Sequence, residues 1–305
     1  MNAIEKQLLE AIADLHEMPE GAYNLRENGE SAGRHSTANI EIVSKTDKPG
    51  IDIIIKEGTK NESVHIPVIV SQTGLSDLVY NDFFIGADCD VTIVAGCGIH
   101  NSGDQTAEHS GIHAFHVGKN SRVKYVEKHY GQGDGNGKNV MNPTTEIELD
   151  EGATMELETT QIKGVDSTRR ITKAVVGDKA SLIIREKLMT HGEQFAETDF
   201  TVDLNGEDSS ANVISRSVAK DRSYQNFVSR INGNNRCAGH TECDAILMDE
   251  ARVRAIPEIT ANHLDAALIH EAAIGKIAGE QLIKLMTLGL SEQEAEEQIV
   301  NGFLK

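Results

Sequence analysis

The stretch IGADCDVTIV, residues 85–94, decides how the middle of this chain is read. A Gly/Asp turn leads into an alternating apolar run, and the arrangement returns in VGKNSRVKYV (117–126), LDEGATMELE (149–158), VVGDKASLII (175–184), LNGEDSSANVIS (204–215) and LMDEARVRAI (247–256). Each unit reads as strand, turn, strand. Aligned on the first apolar residue after the turn (Val91, Val123, Met155, Leu182, Val213, Val253), the intervals are 32, 32, 27, 31 and 40. Hairpin sheets return turn signals every 8–12 residues or so, whereas intervals near thirty fit stacked solenoid coils. The expected fold is mainly β, a β-helix, with two packed antiparallel sheets as the alternative. Low aromatic content (4%) and the absence of Trp suit a narrow interior filled by Val, Ile, Leu and Ala.

Outside this core the period is helical. Ile4, Leu8, Ala11, Ile12 and Leu15 form one stripe over residues 2–17, predicting an N-terminal helix; MPEGAYNLRENGES then reads as a connector. At the other end Ile277, Leu282, Leu285 and Met286 form a second stripe, Gly289 is placed to end that helix, and Ser291 with Glu294 has capping-box spacing. The chain therefore divides into an N-terminal helix and connector (1–36), a β-helix core (37–270) and a C-terminal helical hairpin (271–305). Taken alone, the hairpin reads as a solenoid cap.

A formal net charge of −19 repels phosphate backbones and anionic lipid, so neither nucleic acid nor membrane is an expected partner. With no apolar leader and four cysteines in 305 residues, the expectation is a cytoplasmic protein with reduced thiols.

Three constellations carry possible chemistry. In NNRCAGHTECDAIL (234–247), Cys237, His240, Glu242 and Cys243 bring together thiolate, imidazole and carboxylate, the side chains that bind iron and zinc. On a strand Cys237 and Cys243 share a face, while Glu242 points away unless a bulge intervenes. A buried Cys243 with no ligand role is the plain alternative. The run GCGIHNSGDQTAEHSGIHAFHVGKN holds Cys97, His100, His109, His113 and His116, which reads either as solvated turn residues or as a zinc site of a hydrolase or hydratase built on His109, His113 and His116. Finally, LIHEAAIGKIAGEQL sets His270 and Glu271 at the junction of solenoid and helices.

The last of these opens a resemblance. HEAAIGKIAGEQLIKLMTLGLSEQEAEEQIVNGF resembles the C-terminal signature of the SufB/SufD family of iron–sulfur cluster assembly scaffolds, and GHTECDAILMDEARVRAIPEI resembles the segment preceding it. The similarity is strongest from about residue 210 onward, and the chain looks like a compact, stand-alone scaffold of a minimal SUF system. The resemblance implies a right-handed parallel β-helix and a transiently bound cluster of the four-iron four-sulfur type. It implies a SufC-type ABC ATPase docking on the terminal hairpin through Lys276, Ile277, Gln281, Leu282, Leu285, Met286, Ile299 and Phe303, which turns the cap reading into a docking one. It also implies a homodimer through the β-helix whose interface is distorted when the ATPase closes, and exchange with a sulfur donor and acceptor apoproteins; involvement of a flavin is left open. The family's interface cysteine aligns with Ala261 here, whereas the family's histidine falls on His270. The ligand set expected in its place is Cys237 and Cys243 with Glu242 or His240, plus His270; Cys97 is a reserve ligand or sulfur acceptor and Cys89 a turn residue. ATP hydrolysis belongs to the separate subunit, so the chain itself is expected not to be an enzyme. A metal-free adaptor for the ATPase is the third reading.

Overall fold

The computed structural model describes residues 3–13, 15, 19 and 21–305. Two long sheets face each other across one core, and the chain alternates between them, making a β-solenoid of about 8 turns. Sheet A runs β2 (Glu30–His35), β1 (Ala22–Glu27), β5 (Lys60–Val70), β7 (Asp90–His100), β9 (Arg122–Gln132), β12 (Thr154–Lys163), β14 (Ser181–Thr190), β16 (Ser209–Ala219), β18 (Cys237–Leu247) and β20 (Ala266–Gly275). Sheet B runs β3 (Ile40–Ser44), β4 (Gly50–Ile55), β6 (Ser76–Ile85), β8 (Ala107–Val117), β10 (Asn139–Met141) with β11 (Thr144–Leu149), β13 (Ser167–Val176), β15 (Phe195–Leu204), β17 (Tyr224–Gly233) and β19 (Arg252–Ala261). Among the described residues all pairings are parallel except the first in each sheet, β1 with β2 and β3 with β4.

The coil length follows from the turns. Gly58, Asp88, Asn120, Gly152, Lys179 and Asp208 all have φ between 53° and 74°, the left-handed region that Gly, Asn and Asp enter at least cost. Each donates its backbone N–H to the next coil: Gly58 to Ala87 O, Asp88 to Lys119 O, Asn120 to Glu151 O, Gly152 to Asp178 O, Lys179 to Glu207 O, Asp208 to Arg236 O. One corner of the solenoid is thus a stack of identical turns. In register above it, Val91 pairs with Val123, Val123 with Met155 and Met155 with Leu182, matching the repeat read from sequence.

Beyond Leu182 that alignment is corrected. Leu182 pairs with Ala211, not Val213, and Val253 lies in sheet B opposite Gln225. The turn before Val253 contains Asp249, also left-handed, and Glu250 donates its N–H to Asp221 O, with Arg222 in turn bonded to Gly192 O. This second stack, at the opposite corner, uses the same Gly and Asp chemistry, so the interval of 40 mixed two corners of one coil. Register partners in sheet A are in fact 28 or 29 residues apart from Ser181 onward.

Inward side chains interdigitate along the whole solenoid, with Phe83 stacked on Phe115 at 4.3 Å and Tyr125 edge-on to Phe115. Helix α1 (Ala3–Ala13) buries Leu8, Leu9 and Ile12 against the outer face of sheet A, while Ala11 is exposed. The close approach needs glycine: a Cβ on Gly96 would meet Ile12 O at 2.8 Å, and one on Gly98 would meet the Leu8 side chain at 3.1 Å. Of the expected helical stretch 2–17, residues 2, 14, 16 and 17 lie outside the described residues. The stretch read as a connector instead contains β1 and β2, whose Gly-containing turn at Asn28–Gly29 conceals two short strands.

At the C-terminus, α2 (Gly279–Thr287) and α3 (Glu292–Phe303) follow β20. Gly289 is left-handed at φ 98°, and Ser291 with Glu294 forms a complete capping box. Val300 and Leu304 pack on Val218, joined by Met189, Ile246, Met248, Ile277 and Phe303. The hairpin thus lies along the ends of β14, β16 and β18, and β19 and β20 stay largely exposed as the unpaired edges of both sheets among the described residues. No described helix is long and apolar enough to cross a membrane.

Candidate functional site

Strand β18 pairs without a bulge to β16 and β20, so its faces alternate strictly. Cys237, Gly239, Thr241 and Cys243 point into the core; His240 and Glu242 point out. On β20 the partner of Thr241 is His270 and that of Glu242 is Glu271. The inner face therefore carries Cys243 and His270 as diagonal neighbours, and the outer face carries His240, Glu242 and Glu271, whose ligating atoms all lie within 4.8 Å of one another. His240 Nδ1 is 3.1 Å from Asn212 Oδ1, which fixes the ring, and Nε2 lies 3.6 Å from Glu271.

This geometry revises the expected ligand set. Cys237 and Cys243 are six residues apart on an extended strand, about 20 Å at about 3.3 Å per residue. Shared parity puts them on one face without bringing them together, so they do not ligate one cluster within a chain. Cys97 on β7 is five strand spacings from β18, roughly 24 Å, which removes it as a reserve ligand at Cys243. Glu271, in contrast, completes the outer trio although it was noted only as a junction residue. Its signal was its register with Glu242 one coil earlier, and coil length was the quantity the repeat alignment had wrong there.

The inner thiols are protonated at neutral pH. Burial, followed by the nearby Glu186 and Asp244 carboxylates, pushes Cys243 up to about 12; burial also raises Cys237. Metal binding needs the thiolate, so burial disfavours the form of Cys243 that ligates. His270 is pulled down by burial and then by His240, and its Nδ1 has no hydrogen-bond partner, leaving a neutral imidazole able to ligate. Burial and a hydrogen bond with Asp244 raise Glu242.

The histidine-rich run does not form the zinc triad of the alternative hydrolase reading. His109 and His113 face the core and His116 the solvent, because residues 113 and 116 differ in parity. His116 stacks on Phe84 and meets Glu148 at 2.8 Å. Inside, His109 Nδ1 lies 3.1 Å from Asp77, which Arg26 grips with two hydrogen bonds. His113 Nδ1 lies 2.7 Å from Tyr125 OH, which donates to Glu127, itself ion-paired with the buried Arg170. These groups satisfy one another as a buried polar network. Cys97 sits beside it, raised far above the usual thiol range by burial and by Asp77 and Glu127. Cys89 is a buried turn residue whose thiol donates to Lys56 O.

The residues expected to dock the ATPase fall into two sets. Ile277 and Phe303 are packed against the solenoid. Lys276, Gln281 and Met286 are exposed, Leu282, Leu285 and Ile299 half-buried, and no residue of α2 is fully buried. Ile283 and Leu288 are 63% and 75% exposed and extend that face.

Residues 79–303 match the family described as SUF system FeS cluster assembly, SufBD core domain. The chain is 30% identical to an iron–sulfur cluster assembly SufBD family protein of Methanocaldococcus jannaschii, over 83% of this chain and 79% of that protein. A Pyrococcus horikoshii protein of the same description is 28% identical over 89% of this chain and 83% of its own length. For one from Archaeoglobus fulgidus the values are 29%, 74% and 60%.

Proposed function

The chain belongs to the SufBD family of iron–sulfur cluster assembly proteins, and from that premise we propose that it is a non-catalytic scaffold that gathers iron and sulfide at the terminal coil and releases the assembled cluster. The observation that carries the reading is the trio His240, Glu242 and Glu271 directly outside the inward Cys243 and His270. Imidazole and carboxylate hold iron weakly enough for it to move on, and a thiolate retains it in a cluster. The cluster, of the four-iron four-sulfur type, is cargo; non-cysteine ligands favour its transfer to acceptor apoproteins.

The same reading assigns the energy source to a separate SufC-type ABC ATPase docked on the exposed face of α2. Because α2 and α3 pack along the ends of β14, β16 and β18, force applied there reaches the strand that bears Cys243. Displacing β20 would hydrate the thiol, lower its pKa and admit iron. The open edges of β19 and β20 suit pairing with a second copy of the chain, and Ile259, Ile269, Ile274 and the fully exposed Leu264 supply apolar surface there. A second chain would also supply the thiolates that Cys237, about 20 Å away along its strand, does not. Cys97 remains a candidate sulfur acceptor remote from the cluster, and the reaction setting is the cytoplasm.

Anaerobic reconstitution with iron and sulfide, with and without the ATPase and ATP, tests this. The expected result is a thiolate-to-iron absorption band with stoichiometric sulfide that is lost in Cys243→Ala. An unchanged cluster in Cys243→Ala would defeat the ligand assignment.

A further inference from the structure

On the outer face of sheet A the trio His240, Glu242 and Glu271 borders β16, and two outward side chains of that strand reach it. Asn212 is the register partner of His240; Arg216, four residues on and on the same face, is the register partner of Asp244. Neither belongs to the trio, and each bears on a different member of it. Asn212 acts on the imidazole, with its Oδ1 3.1 Å from His240 Nδ1. A carbonyl oxygen only accepts, so the Nδ1 that faces it carries the ring proton. Nε2, on the side of Glu271 at 3.6 Å, then keeps its lone pair for a metal. Ligating histidines are commonly held in this way through their other nitrogen, and loss of the holding group costs about 10–100-fold in metal affinity.

Arg216 acts on a carboxylate. Its Nη2 lies 4.0 Å from Glu242 Oε1, beyond hydrogen-bond reach, and its Nε has no hydrogen-bond partner. The guanidinium is thus a loose counter-charge to Glu242 rather than a locked ion pair. It stays charged at every accessible pH, and a fixed positive charge beside a carboxylate reduces the attraction of that carboxylate for a divalent cation.

We propose that Asn212 and Arg216 are positioning residues that set the affinity of the trio for ferrous iron in opposite directions, Asn212 raising it by presenting His240 Nε2 and Arg216 lowering it by competing for Glu242. The inference rests on the reading of the trio as the place where iron is gathered. A site built this way takes the cation in a defined geometry and holds it loosely, as a cargo that moves on requires.

Anaerobic calorimetric titration of the full chain with ferrous iron alone, without sulfide, measures both effects. Asn212→Leu is expected to weaken binding by about tenfold or more, and Asn212→Asp, which restores an acceptor for Nδ1–H, to bind at least as tightly as the parent. Arg216→Gln is expected to bind about threefold more tightly or better at low ionic strength. A general loosening of β16 would weaken binding in every variant, so the opposite signs separate positioning from a structural role. Both positions are half-buried on the outer face, and the melting temperatures of the metal-free variants check that the solenoid is intact. Binding that is lost in Glu271→Gln but equal in the parent, Asn212→Leu and Arg216→Gln would overturn this assignment alone, as would weaker binding in Arg216→Gln. Iron binding unchanged in Glu271→Gln, or no iron binding at all, would overturn the trio itself and this assignment with it.

Discussion

Glu242 and Glu271 are register partners on adjacent parallel strands, both facing outward, with His240 beside them. Like charges so placed repel one another, and a divalent cation relieves the repulsion. Ferrous iron or zinc should therefore raise the melting temperature by a few degrees, since a ligand at about 100 times its Kd adds about 2.7 kcal/mol. Glu271→Gln should stabilise the metal-free chain slightly, by up to about 1 kcal/mol, and abolish the metal-dependent shift. A full shift in that variant would remove Glu271 from the site.

Cys243 should be unreactive in the isolated chain. With its thiol at about 12, the thiolate fraction near pH 7.5 is at least about a hundredfold below that of a free cysteine. Iodoacetamide labelling followed by peptide mass analysis should find it nearly unmodified, and labelling should rise when the ATPase and ATP are added. Rapid labelling of the chain alone would show that β20 does not cover the thiol.

The terminal hairpin yields a division of effects. Ile283→Asp and Leu288→Asp change exposed positions, so they should leave the melting temperature nearly unchanged and abolish ATPase capture. Phe303→Ala, which opens the packing against the cluster of Val218, Val300 and Leu304, should cost about 2–4 kcal/mol of stability. Capture retained by both aspartate variants would place the docking surface elsewhere.

The buried network predicts an acid sensitivity. Burial pulls His113 down to about 4, while the unfolded imidazole titrates near 6.5. Above about pH 6.5 both states are neutral and pH has no effect through this group. As pH falls from 6.5 to 4 the unfolded chain takes up the proton first, so stability declines, by about 3 kcal/mol at pH 4. Below 3.8 Asp77 adds to the loss: burial alone would raise it, but hydrogen bonds from Arg26 and His109 hold it well below the usual carboxylate range. Urea unfolding across this range should show a shallower decline in His113→Gln than in the parent chain; identical slopes would contradict the assignment.

Much of this architecture was legible in advance because its cause is local. A Gly, Asn or Asp that must adopt a left-handed turn once per coil leaves a mark at a fixed interval, and an alternating strand carries its inward and outward faces in its own spelling. The same holds for Gly289 and for the Ser291–Glu294 cap, each satisfied within a few residues. The parity of His113 and His116, which separates them onto two faces, was also present in the sequence but unread, since the run was treated as one cluster.

What the sequence determined, then, was the repeat, the fold class, the helical ends and the family. Which side chains meet was decided only by the tertiary structure. Cys237 and Cys243 look like a pair because only five residues separate them in the sequence, yet an extended strand carries them about 20 Å apart. Glu242 and Glu271 look unrelated at a distance of 29 positions, yet one coil of solenoid brings them into register. Proximity here is set by the length of a coil, which depends on where each turn closes, and identical turn chemistry at two corners hides that length until the strands are paired.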